Sequence, residues 1–296
     1  MAGTSWNSVD DALLRDWPLP QPGAAADKEE RGHVLIVAGS REMPGAAWLA
    51  ATAALRAGAG KLVVATAGSV AAGLALNLPE ARVIALPESK SGGLSSDGVR
   101  LIEGLLGSVN AVLLGPGWVD PAACIEFARR VVEAIGHDSS LILDAAAMDV
   151  ASAGEGAEGS LLTPHAGEMA HLLNVSKAEI LAHPEVHARG AAQRWNCTVA
   201  LKGATTFVAT ADGRGWRHDS QNPGLGTSGS GDTLAGIVAG LAARGAALEQ
   251  AAVWGVALHA RAGAALASKF GPLGYLAGEL LAEVPRLMSI LGPKRA

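Results

Sequence analysis

Aromatic side chains are scarce in this chain. Its 296 residues include 7 Trp, 3 Phe and 1 Tyr, too few for the ring platforms on which single-stranded nucleic acids stack. Charge is also sparse, with 23 Lys and Arg against 28 Asp and Glu and a net charge of −5. No basic stripe runs along any segment, so nucleic acid is not an expected partner. There are only two cysteines, Cys124 and Cys197, far apart in apolar segments. They read as buried free thiols in a reducing compartment. No uninterrupted apolar run reaches the roughly 18 residues of a membrane span. The amino-terminal MAGTSWNSVDD is acidic and lacks the apolar core of a secretory signal. The expectation is a soluble, cytoplasmic protein with no membrane partner.

Glycine is plentiful, at 38 residues, and alanine is more abundant still. This predicts close helix–sheet packing through small contact residues. Residues 1–30 carry Pro18, Pro20 and Pro22 and little periodicity, so they are expected to form an arm or an edge element. Trp6 and Trp17 would anchor it to the body or to another subunit, and the sequence leaves both open. Residues 31–296 show no composition break and no internal repeat, which predicts one domain.

From His33 onward, short apolar runs alternate with helical patterns. HVLIVA (33–38), KLVVAT (61–66), RVIAL (82–86), NAVLL (110–114) and SLILD (140–144) read as strands buried on both faces. SLL (160–162), CTVALKG (197–203) and TTFVAT (205–210) follow, and GRGWRH is expected to add an antiparallel strand. Helices are expected between them, and a last one over 275–291 that Pro285 should kink or break. Repeated β-α units predict a largely parallel sheet with helices on both faces. Ligands of such sheets bind beyond the carboxyl ends of the strands. The unusual loops all lie there: 39–45, 115–117, Asp144, 163–168, 202–206 and 222–232.

The last of these is the richest. NPGLGTSGSG (222–231) can take backbone conformations closed to bulkier residues, and DTLAGIVAGL (232–241) is helical, with Leu234, Ile237, Val238 and Leu241 on one face. A glycine-rich turn opening into a helix points free N–H groups at a ligand from the positive end of the helix dipole. That is an anion site, most often for phosphate. Asp232 stands at its start, either as a cap or as a catalytic carboxylate. Gly224, Gly226, Gly229 and Gly231 just upstream favour the catalytic reading.

Taken in order, HVLIVAGSREMPGAA, PEARVIAL, GPG, LILDA, LLTPHAGE, LKGATT and NPGLGTSGSGDTLAG form a set that resembles the ADP-dependent NAD(P)H-hydrate dehydratases, a branch of the ribokinase-like superfamily. The likeness runs from about residue 31 to residue 267. It implies an α/β three-layer sandwich. It also implies a reaction: ADP or ATP phosphorylates the hydroxyl of hydrated NADH or NADPH, and phosphate then leaves. Hydroxide is a poor leaving group and phosphate a good one, so such a site needs a base and donors for the moving phosphoryl group.

By this resemblance Asp232 is the base. The N–H groups of Gly229, Ser230 and Gly231 form the anion hole. Lys202, Gly203, Ala204, Thr205 and Thr206, with Gly231, hold the nucleotide. Ala46, Gly117 and His165, with Asp232, meet the hydrated dinucleotide. Glu168 either holds a magnesium-bound water or caps the next helix. Mg2+ and an adenine nucleotide are the implied cofactors, and a homo-oligomer is expected. Two positions depart from the family's pattern: Ala146 stands where relatives commonly carry a second Asp after the strand, and Trp118 replaces a small or aliphatic residue. Two rivals remain at this stage, a small-molecule kinase of the same superfamily and a nucleotide-binding protein without catalysis. His183 and His187, four apart, lack a nearby third ligand and read as a solvated helix start.

Overall fold

The computed structural model describes residues 5–23, 27–154 and 157–292. β1 (Asn7–Ser8) and α1 (Asp11–Asp16) come first, then β2 (His33–Val37), α2 (Pro44–Arg56), β3 (Lys61–Ala67), α3 (Gly68–Asn77) and β4 (Ala81–Leu86). Next are α4 (Glu103–Leu106), β5 (Ala111–Leu114), α5 (Pro121–Ala134), β6 (Ser140–Leu143), α6 (Asp149–Ser152) and β7 (Leu161–Leu162). Three helices, α7 (Ala166–Leu173), α8 (Lys177–Ala182) and α9 (Pro184–Arg194), lead to β8 (Thr198–Leu201), β9 (Thr205–Ala209) and β10 (Gly215–Asp219). The chain ends in α10 (Ser230–Ala243), α11 (Leu248–Phe270) and α12 (Ala277–Leu291).

The strands form a 10-stranded sheet in the order β1-β10-β9-β8-β7-β6-β5-β2-β3-β4. Only the β8–β9 and β9–β10 pairs are antiparallel. Successive residues of the central strands face opposite layers. Val34 and Ile36 of β2, with Leu113 of β5, join the core under α2, α10 and α11. Leu35, Val37, Val112 and Leu114 join the core under α5, α7 and α9. The result is the expected three-layer arrangement of helices, sheet and helices.

The small residues serve a tighter contact than helix on sheet. A Cβ on Gly236 of α10 would lie 2.2 Å from the Ala50 carbonyl oxygen of α2, and one on Gly240 would lie 2.4 Å from that of Ala54. Helix α10 therefore rests directly on α2.

The arm is bound to the body. β1 pairs in parallel with β10, Asn7 opposite Trp216. Trp6 packs edge-on against Phe207 at 5.0 Å, and Trp17 stacks on Trp216 at 5.4 Å. The Trp17 carbonyl accepts from Trp254 Nε1 at 2.8 Å. Pro285 does not break α12, which runs unbroken from Ala277 to Leu291. Pro285 lies on the exposed side, where water can satisfy the carbonyl it leaves free. Leu280, Leu281, Val284, Leu287 and Leu291 hold the other side in the core.

Candidate functional site

The order β8-β7-β6-β5-β2 sets five strand ends side by side. Beyond them lie Lys202, the 163–168 loop, Asp144, the 115–117 turn and the 39–45 loop. Backbone bonds join the row: Lys202 N donates to Pro164 O at 2.8 Å, Asp144 N to Leu114 O at 3.0 Å, and Gly39 N to Pro116 O at 2.7 Å. Helix α10 packs across β2, β5 and β6, which brings its first turn to this edge.

That turn is built on Gly229. Its φ of 86° is left-handed, a conformation that favours glycine, and a Cβ there would also lie 2.4 Å from Leu49 Cδ1 of α2. Gly231 and Asp232 follow with N–H groups that no earlier helical carbonyl can accept. Ser230 differs from the sequence expectation. Its N–H donates to Thr227 O at 3.2 Å, so what it offers a ligand is its hydroxyl.

Asp232 is half-buried in this turn. Burial pushes its carboxyl up to about 6; the negative Asp144 and Glu168 add to the rise, and Lys202 opposes it. The Lys202 side chain is largely buried. Its Nζ lies 3.1 Å from Asp144 Oδ1 and 3.8 Å from Glu168 Oε2. It also lies 3.4 Å from where a Gly231 Cβ would stand. Burial works to lower its pKa, but Asp144 and Glu168 outweigh this, so the ammonium is held above its ordinary value. Asp144 is buried and also accepts from Thr163 Oγ1 at 2.6 Å.

His165 and Glu168 form a capping box at the start of α7. His165 Nδ1 accepts from Gly167 N at 3.0 Å and Glu168 N at 3.1 Å, which leaves Nε2 to carry the ring proton. Glu168 Oε2 accepts from His165 N at 2.7 Å, so the capping role weighed for Glu168 is realised. Among the described residues no group of three or more His, Cys, Asp or Glu is placed to hold a metal by itself. A single carboxylate beside a phosphate site does suit Mg2+, which usually takes one or two carboxylates and completes its shell with phosphate and water. These residues therefore fit a magnesium ion that arrives with a nucleotide.

A cavity of about 670 Å³ opens beside Lys202 and Gly231. Gly203, Ala204 and Thr206 line it with His165, and Leu225, Leu234, Val256 and Ala260 give it apolar walls. Thr205 does not line it; its hydroxyl donates to Asp219 Oδ1 at 2.6 Å. Ala46 and Gly117 also lie outside this lining, next to each other. Gly117 has φ 68°, and a Cβ on it would lie 2.5 Å from Ala46 Cβ and 2.8 Å from Met43 O. Trp118 is buried and packs edge-on against Phe127 at 5.4 Å. Two histidines that the sequence reading passed over, His218 and His259, border the cavity. The sign of His259 in the sequence is one imidazole in the apolar stretch 251–260 of its helix.

A family model described as NAD(P)H-hydrate dehydratase matches residues 34–286. The chain is 45% identical over 291 residues to the ADP-dependent (S)-NAD(P)H-hydrate dehydratase of Xanthomonas campestris pv. campestris, covering 98% of this chain and 99% of that one. It is 36% identical to the bifunctional NAD(P)H-hydrate repair enzyme Nnr of Moorella thermoacetica, covering 91% of this chain but 52% of that longer protein. Among solved structures, the Bacillus subtilis ADP/ATP-dependent NAD(P)H-hydrate dehydratase co-crystallised with ATP and Mg2+ superposes with a TM-score of 0.81 at 28% identity, over 98% and 100% of the two chains. Escherichia coli phosphofructokinase-2, at 15% identity and a TM-score of 0.57 over 87% and 99%, shares the fold alone.

Proposed function

The chain belongs to the NAD(P)H-hydrate dehydratase family, and from that premise we propose how its pocket works. The protein is an ADP-dependent enzyme with a ribokinase-like fold that returns the S epimer of hydrated NAD(P)H to NAD(P)H. The hydrate hydroxyl attacks the terminal phosphorus of the nucleotide. A new O–P bond forms, and the P–O bond to the rest of the nucleotide breaks. Asp232 takes the hydroxyl proton. The C–O bond to phosphate then breaks with loss of a neighbouring ring proton, and the ring double bond returns. With ADP the net products are NAD(P)H, AMP and phosphate.

Each residue has a physical task in this reading. The apolar walls of the cavity hold the adenine, and the turn of Gly203, Ala204 and Thr206 follows the sugar and phosphates. Thr205 supports that turn through Asp219 rather than touching the nucleotide. Lys202, beside Gly231, offsets phosphate charge. His165 offers Nε2–H to the dinucleotide, and the contact of Ala46 with Gly117 keeps space for it. Glu168 holds Mg2+ through a water, and the ion neutralises phosphate charge when bound. The reading rests above all on Asp232, a carboxylate near its neutralisation point at the start of an anion-binding helix.

A cytoplasmic location accords with the free thiols of Cys124 and Cys197, both buried and pushed up to about 12 by burial. A homo-oligomer accords with the exposed Phe270, Leu273 and Leu276 in one short stretch. Light scattering of the purified protein decides the latter. Product analysis tests the reaction. Hydrated NADH, ADP and Mg2+ should yield NADH with equal amounts of AMP and inorganic phosphate. A stable phosphorylated product would instead mark a kinase, and nucleotide binding with no product would mark a protein without catalysis.

A further inference from the structure

Ser230 and His259 meet at the phosphate end of the cavity. Ser230 Oγ lies 2.9 Å from His259 Nε2. Both side chains are buried, at 5% and 9% exposure, yet both border the cavity. Ser230 opens α10 two residues before Asp232, while His259 comes from within α11. The Ser230 amide is already engaged by Thr227 O, so its hydroxyl is the group left to face a ligand.

A hydroxyl has one proton to place. Given to the imidazole, it leaves lone pairs toward the cavity, where they repel a phosphoryl oxygen. If the imidazole donates instead, the hydroxyl proton is free to point at the phosphoryl group. Burial holds the imidazole down to about 4, a hydrogen bond to the Ser230 backbone works the other way, and the Lys202 charge adds to the depression. The ring is therefore neutral, with a single N–H. Carried on Nε2, that N–H faces Ser230 Oγ at 2.9 Å.

We propose that His259 is a positioning residue: by donating Nε2–H to Ser230 Oγ, it turns the Ser230 hydroxyl into a side-chain donor to the phosphoryl group in transfer. The anion site then consists of the Gly231 and Asp232 amides, the Lys202 ammonium and this hydroxyl. The proposal rests on the nucleotide-dependent reading above. In this reading the effect of His259 on the reaction passes through Ser230.

A double-mutant cycle tests this, using wild type, Ser230→Ala, His259→Leu and the double variant, with His259→Gln as a variant that keeps an N–H donor. Turnover of hydrated NADH with ADP and Mg2+ is one readout, and ADP affinity by calorimetry is the other. Each single variant should lower kcat about tenfold to a hundredfold, the worth of a hydrogen bond to a charged group. The double variant should be no slower than the slower single, and His259→Gln should recover most of the rate. Multiplying losses overturn the proposal, as does a His259→Leu defect without a Ser230→Ala defect. If His259→Leu does not fold, the other two decide, and full activity in Ser230→Ala refutes it. If the wild type shows no hydrate turnover, the dehydratase reading fails, and the ADP affinities of the same variants still decide whether the pair acts on phosphate.

Discussion

Asp232 carries two opposed consequences of one environment. Its folded pKa, about 6 against an ordinary 3.8, makes it a competent base but an unfavourable residue for stability. Its contribution to stability is complete below the unfolded value and is lost as pH rises through about 6. At neutral pH that loss amounts to up to about 3 kcal/mol. Asp232→Asn should therefore melt at a higher temperature than wild type at neutral pH, by calorimetry, although it turns over poorly. Because only the ionised carboxylate accepts a proton, kcat should fall as pH drops through about 6. Lys202 is the group that holds the Asp232 pKa down, so Lys202→Gln should move this acid limb to higher pH and raise the KM for ADP. A pH–rate profile checks both. At this scale much of the site was legible, because Asp144, Lys202 and Asp232 each sit next to a strand end or a glycine-rich turn. The pairing of Asp144 with Lys202 was not, since it spans 58 residues. Nor was Ser230 with His259, which joins two helices whose packing no local pattern encodes.

Helix α10 is positioned by what its glycines lack. Gly236 and Gly240 let its backbone rest on α2, and Leu49 of α2 closes over Gly229. Moving α10 away from α2 would displace Asp232 from the row of loops. Gly236→Ala must separate two backbones, so it should destabilise by about 1–3 kcal/mol and lower kcat as well. Gly104→Ala in α4, where a Cβ meets nothing within 4 Å, is the control and should be neutral or slightly stabilising. Urea unfolding and steady-state rates on the two variants check this. Most elements were legible from the alternation of apolar runs with helical periods. The two-residue strands β1 and β7 have almost no pattern of their own. Pro285 misled because local sequence does not show that its exposed side faces water while its apolar side is anchored.

The whole molecule ties its arm into the sheet. β1 covers the edge of β10, and the Pro20 carbonyl accepts from Arg244 Nη2 at 2.7 Å. Leu14 and Leu19 are buried in the same core as α11 and α12. We propose that the arm folds with the rest of the chain as one cooperative unit. Deleting residues 1–22 should lower Tm sharply and in a single transition, while an arm that merely rests on the surface would leave Tm unchanged. Strand–helix alternation made the parallel sheet and its ligand edge legible; the arm's place was not, because its partners lie more than 200 residues away. The catalytic claim is more exposed still. Wild type and Asp232→Asn, given hydrated NADH, ADP and Mg2+, can be followed by the return of the dihydronicotinamide absorbance. The account predicts recovery in the wild type and a loss of at least about a hundredfold in the variant, with ADP still bound. An undiminished rate in Asp232→Asn would contradict it.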